Sequence, residues 1–364
     1  DVYKRQIMIA AGGTGGHLFP AHALADELVS RGHTIHLMTD RRVDRHAEAF
    51  PAEAMHEVPS ATLSPRKPLA LLPSLLKLIR GYRKARSIME QRNAVAAVGF
   101  GGYPTLPPLM AAVRLGIPTC IHEQNSVLGR ANRVLAPRVR MIAGSFPNPK
   151  YLDEAHEAKF RLTGNPVRRN AKQLAATPYA PPADGQPFRL LVFGGSQGAR
   201  VMSEIVPEAI RAWTGRGALS IVQQCREEDL ERVRAAYVAA GIAADCAPFF
   251  RDLPDRIAAA HLVIGRAGAS SVAELTVIGR PSILVPLPHA LDNDQLQNAT
   301  SLSASGGAWC IEQTDLSPER LRLELEALFS DPSRLATAAS AARGQGRPDA
   351  VARLADLVDE LQAP

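Results

Sequence analysis

The sequence predicts two parallel α/β domains in tandem, and three observations carry that prediction. A short apolar run, a glycine-rich turn and an apolar-faced helix open the chain. The same plan recurs about 180 residues later, and each half continues as apolar runs alternating with helical stretches.

The first opening is Ile7-Met8-Ile9-Ala10-Ala11, then Gly12-Gly13-Thr14-Gly15-Gly16-His17, then Ala21, Leu24, Ala25 and Leu28 on one helical face. The second is Arg189-Leu190-Leu191-Val192-Phe193, then Gly194-Gly195-Ser196-Gln197-Gly198-Ala199, then Ile205, Ala209 and Ile210. Buried-strand runs follow at Thr34–Met38, Val95–Phe100, Thr119–His122 and Arg140–Ala143 in the first half. The second half has them at Ser220–Gln224, Leu262–Ile264, Ser282–Pro286 and Ala308–Ile311. Thr177–Gly185, rich in Pro and Ala, reads as an exposed linker between the halves. After the break at Gly344–Pro348, Asp349–Leu361 reads as a terminal amphipathic helix. Ligands of such sheets sit at the carboxyl ends of the strands, so two facing domains would enclose a cleft.

Composition narrows the class. In 364 residues, 46% hydrophobic and 21% charged side chains suit globular domains and exclude a disordered tail or a fibre. Cys120, Cys225, Cys246 and Cys310 include no C-x-x-C pair, which argues against a Cys-based zinc site and for a reducing compartment. The longest apolar stretch, Pro68–Ile79, is broken by Pro73 and Lys77 and is too short to span a bilayer. Asp1–Gln6 lack an initiating Met, are expected to be a truncated or foreign start, and are left out of the fold argument. The formal charge of +6 is unevenly spread. Residues 62–92 hold eight basic side chains and one acidic, so the excess is local.

Glycines after a strand let backbone N–H groups and the following helix dipole approach an anion. A tight strand-to-helix turn without a ligand explains one such loop equally well; two of them favour phosphate binding. Neither is a Walker A loop, and neither fits G-x-G-x-x-G, because counting from Gly13 puts Leu18 at the last glycine. Asp40, ending the second strand, keeps a dehydrogenase as a weak alternative. His122-Glu123-Gln124-Asn125-Ser126 lacks the second histidine of a zinc protease motif. Asp292-Asn293-Asp294 reads either as a divalent-metal pair on a sugar diphosphate or, at least as well, as a helix cap.

Eight segments in order then carry a family likeness: the two glycine loops, Gly101-Gly102-Tyr103, His122-Glu123-Gln124-Asn125, Gly164-Asn165-Pro166-Val167-Arg168, Arg266-Ala267-Gly268-Ala269, Val272-Ala273-Glu274-Leu275, and Asp294-Gln295 with Asn298. From about Ile7 to the final helix the chain closely resembles the MurG family of peptidoglycan glycosyltransferases, which convert lipid I to lipid II. The resemblance implies a GT-B fold, two Rossmann-like domains with parallel sheets facing an interdomain cleft. Residues 7–164 would form the acceptor and membrane-associating domain, with the C-terminal helix 347–364 packing back on it, and residues 165–346 the UDP-GlcNAc-binding domain. The implied reaction moves GlcNAc from UDP-GlcNAc to the C4 hydroxyl of the muramoyl sugar of undecaprenyl-linked lipid I, with inversion.

The resemblance also implies roles. The Ser196 loop and Arg168 would hold the donor diphosphate, Phe250 would flank the uracil, and Glu274 would accept from the ribose hydroxyls. Ala269, Ser270, Ser271, Val272 and Ala273 form the loop and helix start at the nucleotide; relatives vary at Ser270 and Ser271. Gln295 would hold GlcNAc hydroxyls, Asn125 would reach the sugar, and Tyr103 belongs with the substrate contacts. Thr14, Gly15 and Gly16 would close on the donor and the acceptor diphosphate, and Arg266 would brace the nucleotide loop. No metal and no cofactor is required, UDP-GlcNAc being a substrate. The implied location is the cytoplasmic face of the plasma membrane, with cell-wall and division proteins as partners.

Inverting transfer needs a base for the attacking hydroxyl. His17, at the end of the first glycine loop, is the candidate, because an imidazole takes a proton near neutrality; a helix-start histidine that only hydrogen-bonds substrate is the plainer reading. Glu123 and His122 are rivals for the base. From Pro73 to about Gln91 the pattern predicts a helix with Leu72, Leu75, Ile79, Tyr82 and Met89 on one side and Lys77, Arg80, Arg83 and Lys84 on another. That pattern suits an anionic membrane surface, although any surface helix carries an apolar and a charged stripe. Competing functions are a UDP-GlcNAc 2-epimerase of the same fold and a non-catalytic nucleotide-sugar binder. A nucleic-acid binder is disfavoured, because only 18 aromatics are present and none beyond Tyr82 joins the basic run.

Overall fold

A computed structural model describes residues 5–12, 15–40, 50–62, 71–183, 185–195, 199–214 and 217–362. The chain divides into two units, Asp1–Arg168 with Asp349–Pro364, and Arg169–Pro348. All strand pairings in both sheets are parallel.

The first sheet uses β1 (Gln6–Ala10), β2 (Thr34–Thr39), β3 (Ala54–Glu57), β4 (Ala94–Gly99), β5 (Thr119–Glu123), β6 (Met141–Gly144) and β7 (Phe160–Leu162). Their spatial order is β3-β2-β1-β4-β5-β6-β7. The second uses β8 (Phe188–Phe193), β9 (Leu219–Gln224), β10 (Ala244–Ala247), β11 (Leu262–Gly265), β12 (Ser282–Leu284) and β13 (Ala308–Cys310), ordered β10-β9-β8-β11-β12-β13. Each sheet thus has the Rossmann order, reversing direction beside its first strand, between β1 and β4 and between β8 and β11.

Burial on both faces explains why these strands read as continuous apolar runs. In β1, Ile7 and Ile9 join one core with Leu24, Leu28 and Leu37, while Met8 and Ala10 join the opposite core with Met38, Ile121 and Ile142. All eight strand runs expected after the opening strands are strands. Three others, β3, β7 and β10, were not anticipated. Each lies at a sheet edge and is three or four residues long with few fully buried positions, so it lacks a continuous apolar signature.

The terminal helix α13 (Ala350–Leu361) belongs to the first unit, as its place in that core requires. Leu354, Leu357 and Val358 join the core beside β1, each such burial contributing about 1.5–3 kcal/mol. Arg31 donates to Asp356 and Asp359 at 2.7 and 2.9 Å on its rim. The expected linker is a different matter. Thr177–Gly185 is mostly exposed but is fastened to the second unit rather than joining the two. Tyr179 Oη donates to His261 O at 3.0 Å, and Arg343 Nη2 donates to Thr177 O at 2.6 Å. The division falls earlier, at Arg168.

Helix α2 (Leu71–Gln91) splits its apolar stripe along its length. Its second half packs through Gly81, Ala85 and Met89, with Tyr82 half-buried. Gly81 is required there, because a Cβ would run into the Pro59 carbonyl. Its first half leaves Leu72, Leu75, Leu76 and Ile79 exposed by 67%, 49%, 48% and 38%, among exposed Lys77, Arg80, Arg83 and Lys84. Among the described residues, no helix is long and apolar enough to cross a membrane.

Candidate active site

At the reversal point of the first sheet, β1 and β4 end side by side and their following loops diverge. Helix α1 (Gly15–Ser30) starts inside the glycine loop, so Gly15, Gly16 and His17 lie in its first turn. Gly16 faces open space, whereas a Cβ on Gly15 would touch the Phe19 ring. Thr14 lies outside the described residues. After β4, Gly101 and Gly102 take φ of 83° and 75°, a region costly for other residues. A Cβ at either would come within 3.5 Å of the His17 ring, so these two glycines let the loop lie against the imidazole. Tyr103, half-buried, begins the short 3-10 turn that follows.

Behind His17 stands a chain of buried polar groups. His17 Nδ1 lies 2.9 Å from Gln124 Oε1; Gln124 Nε2 lies 3.0 Å from His122 Nδ1 and donates to His122 O at 2.9 Å. His122 Nε2 lies 2.9 Å from the Gly164 carbonyl oxygen. Fully buried beside the Phe100 ring, His122 has its pKa pushed down to about 4 by desolvation.

Glu123 points to the other side of the strand and is 2% exposed. Its Oε1 accepts from Asn125 N at 3.0 Å, and its Oε2 accepts from Gly129 N and Asn132 Nδ2, both at 2.8 Å. Burial raises its pKa, with these donors working in the opposite direction. The carboxylate thus organises the loop that carries Asn125. Arg168 sits with its guanidinium 5.9 Å from the Phe19 ring centroid.

The second unit repeats the plan with different fastenings. Gly194 N donates to Gln224 Oε1 at 3.3 Å, and Gly195, at φ 81°, faces open space. Ser196 lies outside the described residues. Helix α6 (Arg200–Ala212) follows with Ala199 as its N-cap, and helix α9 (Ala269–Ile278) follows β11 with Gly268 as its N-cap; neither cap offers a side-chain acceptor. Among the described residues, Ser270 Oγ, buried in the first turn of α9, has no hydrogen-bond partner. Ala269, Val272 and Glu274 are buried, and Ser271 and Ala273 are partly so.

Arg266 is a brace. Its Nη1 donates to Val285 O and Pro286 O at 3.0 Å, and its Nη2 donates to Gln313 Oε1 at 2.7 Å. Burial holds its pKa below the ordinary arginine value. Asn298, fully buried, donates to Ala267 O at 3.0 Å. Gln295 Oε1 accepts from Leu287 N at 3.1 Å. Phe250 is buried with the Arg256 guanidinium 4.1 Å from its ring centroid, while its neighbour Phe249 is exposed.

In Asp292-Asn293-Asp294, Asn293 is the N-cap of helix α10 (Asp294–Ala304), but its side chain makes no capping bond; Asp294 Oδ1 instead accepts from Gln295 N. Asp292 and Asn293 both have φ above 50°. Among the described residues, no cluster of three or more His, Cys, Asp or Glu side chains could hold a metal ion.

Gln124, Asn132 and Gln313 were not among the expected site residues, although each holds one that was. For Gln124 the signal was the spacing: two residues from His122 at a strand end, the pair shares one face. The pH dependence of stability follows from the same network. His122 titrates near 4 when folded and near 6.5 when unfolded, so between these values the unfolded chain binds a proton that the folded unit excludes. Stability therefore rises with pH through that window, by about 3 kcal/mol. Urea unfolding at pH 5 and pH 7.5 checks this, with His122→Gln expected to reduce the difference while His261, His36 and His56, whose pKa values burial also lowers, keep their share.

Comparison with known proteins places this geometry. Residues 7–143 match the glycosyltransferase family 28 N-terminal domain, and residues 189–354 match its C-terminal domain. A UDP-N-acetylglucosamine–N-acetylmuramyl-(pentapeptide) pyrophosphoryl-undecaprenol N-acetylglucosamine transferase of Chelativorans sp. (strain BNC1) is 54% identical, over 98% of this chain and 95% of the relative. A relative of the same name from Allorhizobium ampelinum is 51% identical, over 98% and 96%. The crystal structure of Acinetobacter baumannii MurG matches with a TM-score of 0.81 at 29% identity, covering 98% of this chain and 99% of that one. With both family domains matched and named relatives above half identity across nearly the whole length, the chain has the GT-B fold and belongs to the MurG family within glycosyltransferase family 28.

Proposed function

We propose that the protein is an inverting glycosyltransferase that moves GlcNAc from UDP-GlcNAc to the C4 hydroxyl of the muramoyl sugar of lipid I, giving lipid II. The observation that carries the reading is the full-length likeness to transferases named for this reaction. Against it, an epimerase of the same fold would need neither a lipid acceptor nor a membrane-facing helix, and a nucleotide-sugar binder would not consume its ligand.

His17 Nε2 takes the proton of the C4 hydroxyl as the oxygen's electron pair attacks the anomeric carbon. The bond from that carbon to UDP breaks, and its electrons pass to the departing diphosphate. Partly exposed His17 can reach a substrate, whereas Glu123 is buried with both oxygens occupied, which favours a positioning role over the base. Ser196 with the first N–H groups of α6 and Arg168 meet the leaving charge. The start of α9, from Ala269 to Glu274, holds the nucleoside, with Glu274 on the ribose, Ser270 and Ser271 as hydroxyl contacts, and Arg266 bracing the loop. Phe250 lines the base through its backbone, since its ring is covered. Gln295 and Asn125 contact the sugar; Thr14, Gly15 and Gly16 close on the diphosphates, and Tyr103 is a further substrate contact. No metal takes part.

The exposed leucines and isoleucine of α2, ringed by Lys77, Arg80, Arg83 and Lys84, dock on anionic lipid at the cytoplasmic face of the plasma membrane, where cell-wall and division proteins work. Half-buried Tyr82 sits at the edge of that surface.

Incubation with UDP-GlcNAc and a short-chain lipid I analogue, with and without EDTA, is expected to give the disaccharide-lipid equally in both. Absence of product would end the transferase reading, and loss in EDTA would revive Asp292 and Asp294 as metal ligands. In the same assay His17→Ala lowers kcat by on the order of 10²-fold or more with little change in KM for UDP-GlcNAc; unchanged turnover would remove His17 from the base role. Co-sedimentation with anionic vesicles should be strong at low salt, weaken as salt rises, and fall sharply in a Leu72→Ser, Leu75→Ser, Ile79→Ser variant. Binding that ignores both salt and these substitutions would count against α2.

A further inference from the structure

The two polar side chains behind His17 have hydrogen positions that their neighbours dictate. The series begins at Gly164, whose carbonyl oxygen can only accept. His122 Nε2, 2.9 Å away, must therefore carry its proton. Full burial keeps the ring neutral, so Nδ1 holds a lone pair. Gln124 meets that lone pair and the His122 carbonyl oxygen, at 3.0 and 2.9 Å. Two acceptors demand the amide NH2, and the flipped amide would set oxygen against both. Gln124 Oε1 is thereby aimed at His17 Nδ1, 2.9 Å away. A carboxamide oxygen can only accept, so the His17 proton sits on Nδ1 and the basic lone pair sits on Nε2.

We propose that Gln124 is a positioning residue that, oriented by His122 and the Gly164 carbonyl, locks His17 in the Nδ1–H tautomer and presents Nε2 as its basic nitrogen. The inference rests on the reading of His17 as the base for its functional consequence; the tautomer itself does not depend on that reading. Gly101 and Gly102 complete the arrangement by lying against the ring without a Cβ to displace it. Among the described residues, Gln124 is the one hydrogen-bond partner of the imidazole, which leaves Nε2 to meet a substrate hydroxyl.

The test uses the full chain labelled with nitrogen-15 histidine, at mildly alkaline pH, with the His17 ring assigned by its loss in His17→Gln. Long-range proton–nitrogen correlation should show a protonated, pyrrole-type Nδ1 and a pyridine-type Nε2. A proton on Nε2 in the unmodified protein would overturn the proposal, and this needs no variant to fold. In Gln124→Met the acceptor is gone: the tautomer signature should become mixed, and kcat should fall at least about tenfold with KM for UDP-GlcNAc within about twofold. Gln124→Glu restores an acceptor toward Nδ1 and should recover the signature and most of the turnover. Unchanged signature and unchanged kcat in Gln124→Met would overturn the lock. A changed signature with unchanged kcat would uphold the lock and overturn His17 as the base, so the two readings fail separately.

Discussion

Polar side chains buried at the carboxyl end of a parallel sheet must satisfy one another, because an unpaired buried donor or acceptor costs about 1–3 kcal/mol. That constraint organises the N-terminal unit. His122, Glu123 and Gln124 follow one another as β5 ends, and alternation sends His122 and Gln124 to one side and Glu123 to the other. On one side a line of single-direction hydrogen bonds runs from Gly164 to His17. On the other, one carboxylate gathers Asn125, Gly129 and Asn132. A strand end that is costly to bury unless complete thereby fixes both a candidate base and the loop beside it.

The C-terminal unit reaches a different end with the same topology. Its fastenings hold backbone rather than a reactive side chain: Arg266 ties the β11 and β12 loops, Asn298 holds Ala267, and Gln224 holds Gly194. Helix starts with no side-chain acceptor at the N-cap follow those loops, an arrangement suited to anionic ligands. One Rossmann plan, used twice, therefore fastens polar side chains to one another in one unit and loop backbone in the other. Helix α2 is seated at Gly81, Ala85 and Met89 while its first turns stay apolar and exposed.

Much of this was legible in the sequence because buried parallel strands and glycine turns leave strong patterns. The eight central runs and the terminal helix stand where periodicity put them. Edge strands β3, β7 and β10 were not legible, since a short strand with few buried positions has no continuous run. Thr177–Gly185 looked like a linker because its composition is that of a loop, and composition cannot tell a tether from a strap bound by Tyr179 and Arg343. Glu123 read as a possible base because a carboxylate beside a histidine is reactive in the abstract; its four donors are set by tertiary structure. Gln124 stands in a family segment without a role of its own, although its i, i+2 spacing from His122 encodes the pairing that orients it. At Phe250 the pattern located an aromatic but not the Arg256 that covers it.

The central claim is that Gln124 acts on the reaction only through His17. A double-mutant cycle tests it most directly, with kcat for transfer measured in the unmodified protein, His17→Ala, Gln124→Met and the double variant. Residues acting as one unit give non-additive losses. The account predicts that the double variant turns over no more slowly than His17→Ala alone, and losses that simply multiply would contradict it.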